Sequence, residues 1–416
     1  MATPSPDRLP VVLLGGVNLV RTLGLGAVPA IVAMPDPDEP AFASRYCSEA
    51  HLIPPFDAAD AAADAVVAIG RRLAGQYGRR VPLMYGSDDA LQMIYAHRER
   101  LRRYFLFLVN EPDIAEALLE KDRFEALARS RGLPVPRALE WDGNGPGSLA
   151  AHAGPVLVKP RIKTDWYQSA LRRRLFHGDA KARIFESGAE ALADPAVALH
   201  RDQLLFQEYV SGDDGCLWSF HGVADAKGVL LDAFVGRKLR TYPPLTGESA
   251  FIELDDDDEL AALGAEIAAR LPLMGVFKMD FKKDARTGRW YLLEINARFN
   301  LWHYLGACNG VNLMRATYDY LVDGSRPLAP QSYATTYRWL ALDLDWKAFR
   351  AMRAAGEIGT ATWLASIAFS RNVCNVFSWS DPGPWLRLWN RRFARRWDRG
   401  SRRVLSVLRQ WRSTAS

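Results

Sequence analysis

Between Gly275 and Arg298 the chain reads G-V-F-K-M-D-F-K-K-D-A-R-T-G-R-W-Y-L-L-E-I-N-A-R, a run that ends in a carboxylate, an amide and a guanidinium at alternate positions. Alternation in a strand puts Glu294, Asn296 and Arg298 on one face and Leu293, Ile295 and Ala297 on the other. A five-residue loop from Asp284 to Gly288 would set Asp280 opposite Leu292, diagonal to Glu294 and on its face. A slip of one residue would undo that placement. Two carboxylates and an amide oxygen converging there suit a hard cation that keeps some water and takes phosphate oxygens, which is Mg2+. Arg298 beside them suits an anionic oxygen. The polar outer face of a half-buried hairpin would show the same alternation.

Such a hairpin needs a scaffold, and the chain supplies strands and helices in a mixed order. Val11-Val-Leu-Leu-Gly-Gly reads as a buried strand entering a glycine turn, Asn18 to Gly24 as a short helix, and Pro29 to Met34 as a second strand. Two glycines after a first strand are a weak nucleotide signal, and no G-x-G-x-x-G follows. With the helix Ala59 to Tyr77 and the strand Val81 to Tyr85, this makes a small doubly wound βαβ domain. Asp88 and Asp89 then either cap a helix or meet a substrate at a strand's carboxyl end. Asp113 to Arg131 reads as one helix. Strands follow at Pro155 to Pro160 and Gln203 to Val210, then hairpins at Trp218 to Val235 and Val276 to Asn296. Asp255-Asp-Asp-Asp-Glu opens a helix, where acids meet the positive end of the dipole.

Composition narrows the functional classes. Hydrophobic residues make up 49% and charged residues 24%, an ordinary globular balance. No apolar stretch is long enough to span a bilayer, and the early apolar segment lacks the flanks of a signal peptide. Four dispersed cysteines with no C-x-x-C pair argue for a reducing cytoplasm, without a disulfide framework or structural zinc. From Pro382 to Ser416, ten arginines against the single acid Asp398 give +9, so the residues before them carry −4 of the net +5. The body needs no polyanionic partner.

The order of motifs resembles the ATP-grasp superfamily. Glu120-Lys-Asp-Arg-Phe through Gly-Leu-Pro-Val-Pro-Arg is similar to its lysine-led helix and following turn. Val156-Leu-Val-Lys-Pro is similar to its phosphate lysine strand, Gln207-Glu-Tyr-Val-Ser-Gly to its adenine hinge, and Leu293-Glu-Ile-Asn-Ala-Arg to its metal strand, with Ala297 where proline is usual. Arg21 to Leu25, Ser44-Arg-Tyr-Cys and Ser87-Asp-Asp resemble the carboxylate–amine ligases near D-aspartate ligase. The resemblance spans residues 10 to 330. It implies a mixed α/β and α+β ATP-grasp fold with an N-terminal βαβ domain over 1–115, an ATP-grasp domain over 116–330 and a helical C-terminal extension over 331–416.

It also implies roles. Lys121 and Lys159 would hold the ATP phosphates, Glu208 the adenine amino group, and the Tyr209–Val210 backbone the ring edge. Asp213 or Asp214 would take the ribose hydroxyls. Asp280, Glu294 and Asn296 would hold one or two Mg2+ ions, for which Mn2+ could substitute. Arg298 would stabilise the transferring phosphoryl group. The reaction would join a small carboxylate to an amine through an acyl phosphate. A kinase-like phosphotransferase and a non-catalytic ATP-binding adaptor are the alternatives. The family's glycine-rich phosphate loop is replaced here by Arg161-Ile-Lys-Thr-Asp-Trp-Tyr-Gln-Ser-Ala-Leu-Arg-Arg-Arg. Arg237 and Lys238 alternate on their strand, so one at most faces the cleft. Asn300 and His303 would either pack or touch substrate, packing being the expectation for the histidine.

From Leu386 to Arg412 an apolar stripe with Trp389, Trp397 and Trp411 lies opposite the arginines when the segment is wound as a helix. That is the pattern of a helix in an anionic membrane interface, which would place the enzyme on the inner face of the membrane. Docking on the enzyme body or on a second subunit, as in a homodimer, is the alternative. Nucleic acid is disfavoured because the aromatics and arginines are segregated.

Overall fold

The computed structural model describes residues 8–142, 147–161, 174–176, 180–327 and 331–391. The chain divides into two compact units, Met1–Leu106 with Asn375–Ser416, and Phe107–Cys374.

In the first unit, strands β1 (Val11–Leu14), β2 (Ala30–Met34), β3 (Cys47–Leu52), β4 (Val81–Tyr85) and β5 (Phe105–Leu106) form a parallel sheet in the order β3-β2-β1-β4-β5. All four residues of β1 are fully buried, as the uninterrupted apolar run requires of a strand covered on both faces. Helices α1 (Val17–Leu25) and α2 (Ala59–Tyr77) follow β1 and β3, and α3 (Asp88–Ala96) and α4 (Arg98–Arg102) follow β4. The Ser87 hydroxyl accepts from the Ala90 amide at 3.1 Å and caps α3, while Asp88 and Asp89 occupy its first turn. The cap is therefore Ser87, and the two aspartates sit at the positive end of the helix rather than capping it.

The segment after Asn375 belongs to this unit and is tied to it by polar contacts. Arg21 Nε donates to Asp381 Oδ2 at 2.9 Å, and Nη2 donates to the carbonyls of Val376 and Asp381 at 2.7 and 2.9 Å. Asp381 also accepts from Ser44 Oγ and the Arg45 amide, each at 2.8 Å. Arg21 and Ser44, which carry part of the family resemblance, thus hold a returning segment. Residues 383–391 are helical. Arg391 pairs with Asp38 at 2.7 Å, and Arg387 donates to the Pro37 carbonyl at 2.5 Å. Two of the ten tail arginines are therefore engaged by protein. The remainder of the expected amphipathic helix, residues 392–412 with Trp397 and Trp411, lies outside the described residues.

In the second unit the expected single helix Asp113 to Arg131 is two, α5 (Pro112–Leu119) and α6 (Lys121–Ser130), because Glu120 between them has an extended backbone. Strands β6 (Val156–Pro160), β7 (Arg183–Phe185) and β8 (Leu204–Glu208) make a three-stranded antiparallel sheet in the order β7-β6-β8. Helices α7 (Gly188–Ala193) and α8 (Pro195–His200) lie between β7 and β8 in the chain. Leu149, Val156, Val158, Phe176, Phe185, Val197 and Phe206 form the core of this part.

The larger sheet of this unit runs β13-β12-β9-β10-β11-β14-β15. Its strands are β9 (Leu217–Ala224), β10 (Leu230–Tyr242), β11 (Glu248–Asp255), β12 (Gly275–Lys283), β13 (Trp290–Asn296), β14 (Tyr337–Leu340) and β15 (Arg371–Cys374). Helix α9 (Asp258–Arg270) is capped by Asp257, whose carboxylate accepts from Leu260 N at 2.8 Å, with Asp258 and Glu259 in its first turn. The acidic run is thus a helix start, as expected. Phe220, Phe277, Phe281, Leu260 and Ile267 bury the apolar face of the sheet against α9 and α6. Gly275 opens β12 at φ +75, and a Cβ there would meet the Leu108 carbonyl at 2.7 Å, so both backbone and space demand glycine. Helices α10 (Trp302–Cys308) and α11 (Leu313–Asp323) follow β13, and α12 (Leu342–Ala354) and α13 (Thr360–Ala368) separate β14 from β15. The Arg240–Asp345 pair at 2.6 Å joins β10 to α12, and Trp363 Nε1 of α13 donates to the same carboxylate at 2.8 Å.

Candidate active site

The β12–β13 hairpin carries the central constellation. Its observed register is Lys283↔Trp290 and Phe281↔Leu292, then, across a bulge at Leu293, Asp280↔Glu294 and Lys278↔Asn296. The turn is one residue longer than the spacing suggested, and the bulge adds one more. Each shift alone would turn Asp280 away from Glu294; together they restore the face, because side chains alternate with period two. Asp280 therefore stands directly opposite Glu294 rather than diagonal to it.

Next in the sheet, Ser219 and His221 of β9 lie beside Asp280 and Lys278, and Gly236 and Phe234 of β10 lie beyond them. The polar face so assembled is tightly connected. Asn296 Nδ2 lies 3.0 Å from Glu294 Oε1 and 3.5 Å from Asp280 Oδ2. Ser219 Oγ donates to Asp280 Oδ1 at 2.9 Å. Lys278 Nζ is 2.7 Å from Asp280 Oδ2, and Lys238 Nζ is 3.4 Å from Oδ1. Burial alone would raise the Asp280 carboxyl; the two ammonium groups, with the hydrogen bonds from Lys278 and Ser219, instead hold it well below the ordinary carboxylate range. Lys278 is itself pulled down by burial, against the attraction of Asp280.

Among the described residues no three His, Cys, Asp or Glu side chains converge as a metal site. The set is two carboxylates and one amide. That fits a hard dication which completes its shell with water and phosphate oxygens, and not a closed zinc site. Positive groups already converge on these acceptors, which is the electrostatic demand a cation would meet. The Asn296 amide would present its oxygen after a half-turn, an orientation that hydrogen-bond partners decide.

Lys159, on β6, is lowered by burial, an effect partly offset by the attraction of Glu294, Glu125 and Asp122. The sequence-predicted phosphate lysine thus senses the sequence-predicted metal carboxylate across two sheets. Lys121 begins α6 and its Nζ donates to the Pro160 carbonyl at 2.6 Å, one residue beyond Lys159. The Glu125 carboxylate near Lys159 is also paired with Arg129.

The hinge after β8 places the remaining residues. Glu208 Oε1 accepts from the Arg137 amide at 3.0 Å, and the Tyr209 amide donates to the Pro155 carbonyl at 2.9 Å. The Tyr209 hydroxyl accepts from Lys282 Nζ at 3.0 Å, and that ammonium lies 4.2 Å from the Tyr209 ring centroid. Burial lowers Lys282 to about 8 despite the neighbouring Cys216, Asp214 and Asp213. Val210 is buried. Asp213 is exposed, whereas Asp214 is buried and accepts from Thr241 N at 2.6 Å and Leu245 N at 2.7 Å. Of the two ribose candidates, Asp214 is committed to a turn and Asp213 faces solvent.

Other candidates resolve as packing. His303 and His221 are fully buried, and their rings meet edge to face at 5.6 Å. Asn300 Oδ1 accepts from Trp302 N at 3.0 Å. Arg237 turns to Glu253 at 2.6 Å while Lys238 takes the cleft face, so the alternation argument holds. Arg298 follows β13 and is partly exposed. Lys278 and Lys282 were missed by the motif reading, although the period of two in Lys278-Met-Asp-Phe-Lys282 sets them on the face of Asp280. The segment that replaces the glycine-rich loop, residues 162–173, lies outside the described residues. Arg174 is exposed, and Lys181 pairs with Glu248 at 3.1 Å.

No family model matches the chain. A D-aspartate ligase from Enterococcus faecium (strain Aus0004) is 23% identical over 295 residues, covering 68% of each chain. The L-amino acid ligase from Bacillus licheniformis aligns with a TM-score of 0.52 at 15% identity, over 77% of this chain and 75% of that one. The biotin carboxylase domain of Hydrogenobacter thermophilus 2-oxoglutarate carboxylase, a dimer in complex with MgADP, ADP and bicarbonate, gives 0.55 at 14% identity, over 80% and 74%. Rhizobium etli pyruvate carboxylase gives 0.54 at 17% identity over 79% of this chain, which spans 30% of that longer one.

Proposed function

We propose that this chain, built on the ATP-grasp fold, is an ADP-forming ligase that joins a carboxylate to an amine. The likeness to a D-aspartate ligase over 68% of both chains supports the reaction class. The observation that carries the reading is the meeting of Asp280, Glu294 and Asn296 on one sheet face, with Lys159 drawn electrostatically to Glu294 from the other sheet.

In this reading Lys159 and Lys121 hold the nucleotide phosphates. Glu208 takes the adenine amino group, the Tyr209–Val210 backbone the ring edge, and Asp213 the ribose. Asp280, Glu294 and Asn296 hold Mg2+, which when bound neutralises charge on the phosphate oxygens. Arg298 faces the group in transfer and stabilises its developing charge, the principal work in phosphoryl transfer. A substrate carboxylate oxygen attacks the γ-phosphorus and ADP leaves. The amine then attacks the acyl carbon of the acyl phosphate, inorganic phosphate leaves, and the nitrogen loses a proton to give the amide.

The reading is tested by ADP release over a panel of carboxylates and amines, with hydroxylamine added to trap the acyl phosphate as a hydroxamate. ADP and phosphate release that needs both substrates, together with hydroxamate, supports it. A stable phosphorylated product without trapping would make the protein a kinase, and AMP release would overturn both readings.

A peripheral position on an anionic membrane through residues 386–412 belongs to the same proposal and rests on the sequence pattern alone. No helix among the described residues is long and apolar enough to cross a membrane. Liposome co-sedimentation of the full chain against a truncation after Arg391 decides it: salt-sensitive binding to anionic lipid that the truncation loses supports it, and equal sedimentation of both overturns it.

A further inference from the structure

Asp280 is only 4% exposed, and the side chains of Lys238 and Lys278 are 12% and 13% exposed. Among the described residues, neither ammonium has another ion-pair partner. Lys238 comes from β10 and Lys278 from β12, so they reach the carboxylate from either side of Ser219 on β9. Two ammonium groups on one carboxylate leave one positive charge in excess. Removing the shared carboxylate from two buried ammonium groups is costly unless another anion replaces it.

We infer that Lys238 and Lys278 compete with the divalent cation for Asp280, and that once the cation holds Asp280 they bind an oxyanion of the second substrate or of the group in transfer. The inference rests on the nucleotide and metal reading given above and goes beyond it by assigning two residues which that reading leaves without a role.

The reasoning is electrostatic. A carboxylate shared between two lysines offers a dication a poorer site than a carboxylate alone, because both ammonium groups repel the incoming charge. A dication at Asp280 and Glu294 then leaves the lysines beside it without a counter-ion, in a face where Gly236 and Phe234 contribute no charge. A carboxylate or phosphate oxygen placed there restores neutrality. Metal and oxyanion therefore bind with positive coupling, and each raises the affinity of the other by the same factor. The chemistry of an ammonium pair suits either oxyanion. It also gives an order: metal–nucleotide first, oxyanion second.

The experiment uses the full chain, Mn2+ followed by electron paramagnetic resonance, and calorimetry with ADP, inorganic phosphate and malonate. Lys238→Met, Lys278→Met and the double variant retain the stem and remove the charge. The double variant should bind Mn2+ about fivefold tighter or more, because a competitor is gone. In the presence of Mn2+ and ADP, wild-type protein should bind phosphate or malonate about tenfold more tightly than in their absence, and the double variant should lose that gain. Loss for phosphate assigns the pair to the transferred group, and loss for malonate assigns it to the substrate carboxylate. Lys278→Arg should keep the gain, which separates charge from fold. Weaker or unchanged Mn2+ binding in a double variant with a native melting profile would overturn the competition. An undiminished anion gain in that variant would overturn the oxyanion site. If wild-type protein bound no Mn2+ with ADP at all, the parent reading itself would fall, and this inference with it.

Discussion

Arg21 of α1 and Asp381, 360 residues apart in the chain, form an ion pair at 2.9 Å in which each partner is 1% exposed. Ser44 Oγ and the Arg45 amide satisfy the rest of the carboxylate, so the pair is desolvated but well partnered. Removing one member leaves a buried charge unpaired, which costs about 3–5 kcal/mol. Asp381→Asn and Arg21→Met should each lower the melting temperature of the first unit and open residues 375–391 to protease. Unchanged melting and full protection would show that the segment is held by its other contacts.

Glu294→Gln keeps the shape of the proposed metal face and removes one of its two carboxylates. ADP formation should fall about a hundredfold or more while the melting profile is kept. Near wild-type turnover in the purified variant would remove Glu294 from the site.

Lys159→Ala should weaken nucleotide binding by about 1.5–3 kcal/mol, the range for a hydrogen bond to a charged group. Calorimetric titration with ADP reads this directly. Unchanged affinity in a folded variant would count against the phosphate role of β6.

Burial holds His303 down to about 4, aided by Lys278 and Arg298 and opposed by its hydrogen bond with Asn300, and burial keeps His221 well below its ordinary value, aided by His303, Lys278 and Lys238 and opposed by Asp280. For a base whose folded value is depressed, the native state binds fewer protons than the unfolded chain. Stability is then present in full above about 6.5 and falls as pH drops toward 4. His303 alone contributes on the order of 3 kcal/mol to that loss. His221 stacks on Phe234 at 4.6 Å, and neither of its ring nitrogens has a hydrogen-bond partner. His221→Phe should therefore fold and should flatten the slope of stability between pH 6.5 and 4. An unaltered slope in denaturant titrations would place the acid sensitivity elsewhere.

The polar face of the β12–β13 hairpin was legible in the sequence because it depends only on parity. The true register differs by two residues from the simplest loop count, and an even error leaves every side chain on its side. The same logic allowed only one of Arg237 and Lys238 to face the cleft, and the structure gives that place to Lys238. Lys278 escaped because a lysine two residues before an aspartate carries no local sign of burial; the three-strand register sets it beside His221. The break at Glu120 was invisible for a different reason, since glutamate is a good helix former and its extended backbone has no local signal. The role of Arg21 and Ser44 lay beyond local reasoning altogether, because their partner is hundreds of positions away. Likeness to a family of ligases marked them, but what they hold is a piece of chain.

The second unit is inserted, in chain order, into the first. On a ribosome the five parallel strands emerge early, while Asn375 to Asp381 emerge only after the whole of Phe107–Cys374. At about 5–20 residues per second the delay is roughly 15 to 60 s. Through that interval Arg21 has no counter-ion from the returning segment, and the amide and hydroxyl that close around Asp381 stay hydrated. The first unit is thus completed by chain made only after the whole of the second unit. A chain released between Cys374 and Asp381 would carry the whole second unit and a first unit without the Asp381 latch.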